Sequence, residues 1–195
     1  MKITYLNQSV PYPIAISGLI NYEIDGHKFT PPIEINIILN LIAEFAPHGN
    51  FMELGCNEGY VSAAVCKNFQ SKIVYGVDYD KAQMDTGQMP EHPGSKMFGV
   101  VNKYTNFHGI NCDSSKIKIN GMNITSVFID ADHRYAAVKK DTENIMRQMK
   151  KGLIIWHDYT NDMHNYMGVT RYLNELSEYY PINWIFGTLL CYLKL

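Results

Sequence analysis

Residues 51–59 read Phe51-Met52-Glu53-Leu54-Gly55-Cys56-Asn57-Glu58-Gly59. A short apolar run, a turn carrying two glycines, and then Val61, Ala64, Val65 and Phe69 at helical spacing spell strand, tight turn and helix. Free backbone N–H groups gather where such a turn opens a helix, which is the setting of a nucleotide-binding turn. The spacing is not the G-x-G-x-x-G of dinucleotide enzymes, and Glu58 falls near where a pyrophosphate would sit. A carboxylate there repels phosphate, so the turn suits an adenosine ligand without phosphates. The same residue counts against a dinucleotide oxidoreductase, the competing reading on fold alone.

Upstream, Thr30-Pro31-Pro32 reads as a helix start, with Thr30 as cap and the prolines where no amide donor is needed. Ile33, Ile37, Ile38, Leu41, Ile42 and Phe45 form its apolar face, and Pro47 and Gly49 stop it. Residues 1–30, with a turn signal at Asp25-Gly26, make a hairpin or an N-terminal lid. Downstream, Ile73–Val77 is a second strand, Lys81–Gly94 a long loop, and Met97–Tyr104 part of a helix. Phe107–Ile110 and Ser126–Ile129 are the third and fourth strands. The helix that follows buries Tyr135, Val138, Ile145, Met146 and Met149, with Lys139, Lys140, Asp141, Glu143 and Arg147 on a solvated face. Leu153–Trp156 is the fifth strand, Val169, Tyr172, Leu173 and Leu176 mark one more helix, and Trp184–Phe186 and Leu189–Leu193 close the chain.

Strands alternating with helices, in unbroken apolar runs, indicate a parallel sheet covered on both faces. The expected architecture is α/β and doubly wound: a mostly parallel, seven-stranded sheet with an antiparallel C-terminal hairpin. One domain over 1–195 is expected, with 31–195 as its core.

Seventeen basic against nineteen acidic residues leave a net charge of −2, with no excess to track nucleic-acid phosphates. The uncharged stretch Tyr179–Leu193 is too short for a membrane span and contains Pro181, Asn183 and Gly187. The first twenty residues are broken by Pro11 and Pro13 and show no signal peptide. Cys56, Cys66, Cys112 and Cys191 form no C-x-x-C pair and read as free thiols of a cytoplasmic protein.

In open α/β sheets ligands bind beyond the carboxyl ends of the strands. Glu53, Asp78, Asp113, Asp130 with Asp132, and His157-Asp158 all fall there, an oxygen-rich rim along one edge. Asp78, at the end of the strand after the glycine turn, is placed to accept from both ribose hydroxyls. His27, His48, His92, His108 and His164 have no partner at a telling spacing, although the loops of His92 and His164 could line an acceptor site. Met84, Met89, Met163 and Met167 read as loop and packing residues.

The combination ELGCNEG (53–59), VYGVD (74–78), INCDSS (110–115), VFIDADHRY (127–135) and LIIWHD (153–158) resembles the class I S-adenosylmethionine-dependent methyltransferases, whose fold is Rossmann-like. Within them it is most similar to the metal-dependent macrolide-sugar O-methyltransferases, relatives of the catechol and caffeoyl-CoA enzymes. The likeness spans about residues 50–195. It implies that Glu53, Gly55, Cys56, Asn57 and Gly59 shape the pocket for the methionine part of the cofactor, with Asp130 beside it. Asp78, with Tyr79 nearby, would take the ribose hydroxyls, and Asp113 and Ser114 the adenine edge. Asp130 and Asp158, with His157, would hold a divalent cation such as Mg²⁺, and His133 would be the general base. His157 stands where relatives often carry Glu, so a structural role for it stays open. The reaction implied is methylation of a small hydroxylated acceptor, a sugar among the candidates, without nucleic acid or membrane. Residues 1–30, Lys81–Gly94 and Tyr159–Met167 would set specificity, and in a homo-oligomer a partner chain would complete the acceptor pocket. Two alternatives remain: metal-independent N- or carboxyl-methylation, and a non-catalytic cofactor-binding module.

Overall fold

The computed structural model describes residues 9–11, 21–24, 26, 30–79, 96–160 and 168–195. In chain order its elements are β1 (Ser9–Pro11), α1 (Pro32–Phe45), β2 (Asn50–Leu54), α2 (Tyr60–Asn68), β3 (Val74–Asp78), β4 (Phe107–Asn111), β5 (Ile124–Ile129), α3 (Tyr135–Gln148), β6 (Leu153–Trp156), α4 (Gly168–Leu176), β7 (Asn183–Phe186) and β8 (Cys191–Lys194). The sheet runs β1-β7-β8-β6-β5-β2-β3-β4. Strands β2 to β6 are parallel, and β8 enters antiparallel between β6 and β7. This is the expected seven-stranded sheet, with the three-residue β1 added in parallel beyond β7. From β2 the chain builds outward through β3 and β4, then returns to lay β5 and β6 on the other side. The order therefore reverses between β2 and β5, where Leu54 and Ile129 are in register, and a ligand crevice opens at such a point.

Burial on both faces explains the unbroken apolar strands. Phe51, Phe128 and Ile155 pack with Ile38, Ile42, Val61 and Val65 of α1 and α2. Met52, Val127, Ile154 and Trp156 pack with Val138 and Ile145 of α3 and Leu173 of α4. Indole Nε1–H of Trp156 donates to Thr142 Oγ1 at 2.9 Å, so this large buried ring leaves no polar atom unpaired. The four cysteines are free, with Cys56, Cys66 and Cys191 buried. No helix among the described residues is long and apolar enough to cross a membrane.

Four local expectations are corrected. Thr30 does not cap α1: Pro31 is the N-cap, and no side-chain cap hydrogen bond is made among the described residues. Ile33 is 50% exposed, whereas the polar Glu34, Asn36 and Asn40 are buried, because α1 is enclosed nearly all round. Met97–Tyr104 holds only a turn and the single 3₁₀ turn Val101–Lys103. The cause is tertiary: Phe98 N–H donates to Asn57 O at 2.6 Å and Val100 N–H to Glu58 O at 2.9 Å, so these amides serve the glycine turn instead of a helix. Asp141, assigned to the solvated face of α3, is 2% exposed because Ser114 donates to its carboxylate. The third strand extends to Asn111, which pairs with Asp78. Lys81–Gly94, most of the N-terminal hairpin or lid, His27, His92, His164, Met84, Met89, Met163 and Met167 lie outside the described residues.

Candidate active site

Gly55 has φ 87°, and a Cβ there would lie 2.1 Å from the Asp130 carbonyl oxygen and 2.5 Å from Ala131 Cα. Glycine is what lets the ends of β2 and β5 touch. Gly59, the left-handed N-cap of α2, has no side chain to satisfy the helix start, and a Cβ there would strike Val101 at 2.4 Å. Asp78 closes the crevice at the end of β3. Its Oδ2 accepts from Asn57 N–H and its Oδ1 from Tyr79 N–H at 2.7 Å. Asn57, at φ 47°, carries a buried side-chain oxygen with no partner among the described residues. A buried acceptor left unpaired is costly unless a ligand donates to it. An unpaired amide oxygen, a carboxylate and a glycine-lined turn fit a ligand that brings amino and hydroxyl donors, as S-adenosylmethionine does.

Glu53 lies beneath that crevice. It is 3% exposed, and its Oε2 accepts from Ser62 N–H at 3.0 Å and from the Ser62 hydroxyl, tying β2 to the first turn of α2. Burial pushes its carboxyl up to about 8 from the ordinary 4.5. The folded state thus holds this proton more tightly than the unfolded chain does. The resulting stabilisation is fully present below about pH 4.5, declines as pH rises, and is gone above about 8. Its size is on the order of 5 kcal/mol at most. Denaturant unfolding should show wild type losing stability between those pH values relative to Glu53→Gln, which has no such proton to lose. Parallel pH profiles would refute this account.

The two residues assigned to the adenine edge are engaged locally. Asp113 Oδ1 accepts from Ser115 N–H and Oγ–H at 3.0 and 2.7 Å, and Lys116 pairs with its Oδ2 at 3.0 Å. Partial burial works against its charge, but these donors hold the carboxyl below the usual carboxylate range. Ser114 Oγ–H donates to Asp141 at 2.9 Å. Asp132 likewise turns aside, to Arg134.

The remaining rim residues converge. Asp130 follows β5, and its N–H donates to Leu54 O at 2.9 Å; His157 follows β6, and its N–H donates to Ile129 O at 3.2 Å. Asp158 has φ 61°, a left-handed backbone uncommon for residues other than glycine, although aspartate enters it more readily than most. His133 Nε2 lies 3.0 Å from Asp158 Oδ2 and 3.5 Å from Asp130 Oδ1. His157 Nδ1 lies 3.3 and 3.5 Å from the same two oxygens. Its Nε2 is 2.9 Å from Glu34 Oε2, while Glu34 Oε1 accepts Leu189 N–H at 2.7 Å. The start of α4 presses on this segment: a Cβ on Gly168 would lie 1.9 Å from Tyr135 N and 2.6 Å from His133 O.

Electrostatics follow from this packing. Hydrogen bonds to Asp130 and Asp158 push His133 up to about 10. Burial opposes charge on His157, yet its bonds to Asp130, Asp158 and Glu34 carry it up to about 12. Burial likewise opposes charge on Asp130 and Asp158, but the two histidines hold both carboxyls below their ordinary value. Ligand atoms of Asp130, His133 and Asp158 all lie within 4.8 Å of one another, a donor set that fits a divalent cation. Glu34 is the member of this cluster that sequence reading missed. Its one signal was a carboxylate four residues before Ile38, on the apolar stripe of α1.

The family of proteins described as "Methyltransferase domain" matches residues 52–159, more than half of the chain. No curated protein sequence matches it. Among solved structures, the O-methyltransferase NovP shares 12% identity and a TM-score of 0.58, covering 87% of this chain and 82% of its own. CalS11, a TDP-rhamnose 3′-O-methyltransferase of calicheamicin biosynthesis, shares 14% identity at TM-score 0.56, covering 83% and 77%. A caffeoyl-CoA O-methyltransferase homologue from Staphylococcus aureus shares 15% identity at TM-score 0.57, covering 88% and 86%. At these identities the likeness is one of fold. The glycine turn and the acid at the end of β3 accord with that match: the chain belongs to the methyltransferase-domain family and is a class I S-adenosylmethionine-dependent methyltransferase.

Proposed function

We propose that this methyltransferase methylates a hydroxyl of a small acceptor, with a sugar as the leading acceptor class, and that a divalent cation assists. The observation that carries the reading is the convergence of Asp130, Asp158 and His133 at the switch point, beside the glycine turn. The sulfonium cofactor brings an already activated methyl group, so the protein need supply only position and a nucleophile. A bound cation would stabilise the acceptor's alkoxide, and Mg²⁺ is the expected ion on the carboxylates alone.

The chain's own residues divide the remaining work. Gly55, Gly59, Asn57 and Asp78 bind and orient the cofactor, and Cys56 and Tyr79 flank them. Asp130 and Asp158, with His157, would hold the cation, which leaves Nε2 of His133, the other imidazole within reach of both carboxylates, for the acceptor. His133, with 29% of its side chain exposed, is the imidazole open enough to reach an acceptor and take its proton at Nε2. Kinship of fold with CalS11, which is named for a TDP-rhamnose substrate, supports the sugar hydroxyl. Four free cysteines suit a cytoplasmic setting.

One observation favours the competing reading, metal-independent transfer to an amine or carboxylate: His133 and His157 already offset the charge of the aspartates. Two measurements separate the readings. S-adenosylmethionine at about a hundred times its Kd should raise the unfolding free energy by about 2.7 kcal/mol. Transfer of labelled methyl from it to hydroxylated sugars should stop on chelation and return with added cation. Turnover indifferent to chelators would overturn the cation, and methylation of amines alone would overturn the hydroxyl acceptor.

A further inference from the structure

We propose that Glu34 makes His157 a cation ligand, holding the ring through Nε2 so that Nδ1 faces Asp130 and Asp158, and that the site thereby takes a first-row transition dication over Mg²⁺. The proposal rests on the cation reading above and specifies which ion the site selects. A glutamate in the first turn of a helix ordinarily turns back to that helix's own N–H groups. Glu34 does not: it is 4% exposed, and both oxygens leave α1, one for His157 Nε2 at 2.9 Å and the other for Leu189 N–H at 2.7 Å. With both oxygens engaged, the carboxylate is fixed against rotation. It joins three parts of the fold: the start of α1, the end of β6 and the approach to β8.

The consequence falls on His157, which is 7% exposed. A cation bound between Asp130 Oδ1 and Asp158 Oδ2, which lie 3.5 and 3.3 Å from Nδ1, would send the Nδ1 proton to solvent, while Nε2–H stays on Glu34 and the freed Nδ1 lone pair faces the ion. Bonds of ~2.1 Å around a tetrahedral ion such as Zn²⁺ make ligand–ligand edges of ~3.4 Å, which these separations already match. A carboxylate that orients an imidazole raises its basicity and fixes its tautomer, as in carboxylate–histidine–metal triads. Two aspartate oxygens alone suit Mg²⁺; an oriented imidazole beside them shifts the preference to a borderline ion.

The test titrates the folded protein with Zn²⁺ alone and with Mg²⁺ alone by calorimetry, for wild type, Glu34→Gln, Glu34→Ala and Asp130→Asn. Nitrogen NMR of ¹⁵N-histidine-labelled protein reads the tautomer of His157. Wild type with Zn²⁺ should carry its proton on Nε2. Glu34→Gln should weaken Zn²⁺ about 10- to 100-fold while leaving Mg²⁺ affinity essentially unchanged. Stabilisation by S-adenosylmethionine shows that each variant is folded, and Glu34→Gln keeps the test valid if Glu34→Ala fails there. Equal loss for both ions, or an unaltered His157 tautomer in both Glu34 variants, makes Glu34 a structural tie and overturns the proposal. Tighter binding of Mg²⁺ than of Zn²⁺ by wild type overturns it too. Binding of neither ion by wild type, unchanged in Asp130→Asn, overturns the cation reading itself.

Discussion

Replacing His133 by Gln is expected to slow methyl transfer by about 10²- to 10⁴-fold while leaving affinity for S-adenosylmethionine unchanged. The amide of Gln can still hydrogen-bond to Asp130 and Asp158, so the packing around Nε2 is largely kept. What it cannot do is take up a proton at the acceptor. Without a cation, hydrogen bonds to Asp130 and Asp158 hold His133 charged, with its pKa pushed up to about 10, and a charged imidazole is no base. Offsetting the two aspartates frees Nε2, which links the function of His133 to that of Asp130 and Asp158. Single-turnover kinetics at saturating cofactor, together with cofactor-induced thermal stabilisation, checks both halves. A fall in rate below tenfold would remove His133 from the proton transfer.

Substituting Gly55 by Ala should destabilise the protein by about 2–5 kcal/mol, from left-handed backbone strain added to a clash with fixed backbone. The new Cβ would lie 2.1 Å from the Asp130 carbonyl oxygen, and neither β2 nor β5 can yield without shifting a central strand. Gly121 supplies the internal control, because it has φ 82° and nothing within 4 Å of a would-be Cβ. Gly121→Ala should therefore cost only the backbone share, about 1 kcal/mol. Denaturant unfolding of the two variants isolates the steric part; equal losses would show that the strand ends do not meet as described. Because Asp130 follows directly on β5, Gly55→Ala should also lower cofactor and cation affinity together.

Much of this protein was legible in its sequence, for reasons that can be placed residue by residue. Phe51–Gly59 announced strand, turn and helix because a run of apolar residues and two glycines act within ten residues of one another. The parallel sheet was legible because β2, β5 and β6 are buried on both faces and so keep no polar alternation. Met97–Tyr104 misled because its helical pattern was local, while Phe98 and Val100 give their amides to Asn57 and Glu58 some forty residues back. Asp141 misled for the same reason: its solvated spacing on α3 says nothing of Ser114, which reaches it from another loop.

The acidic rim shows where that boundary runs. By strand position alone, Glu53, Asp113, Asp130, Asp132 and Asp158 were alike, since each follows or ends a strand, and only the family resemblance paired Asp130 with Asp158. Tertiary structure separates them. Glu53 is turned beneath α2 onto Ser62, Asp113 and Asp132 are spent on their own neighbours, and Asp78 braces the glycine turn. Only Asp130 and Asp158 meet, because β5 and β6 lie side by side in parallel register and Asp158 is bent back by its left-handed backbone. Glu34 joins them from 123 residues away. Short-range patterning determined the fold and the class of cofactor. Which carboxylates and imidazoles share one site was decided by strand order, since Coulomb and hydrogen-bond energies depend on separation in space and not along the chain.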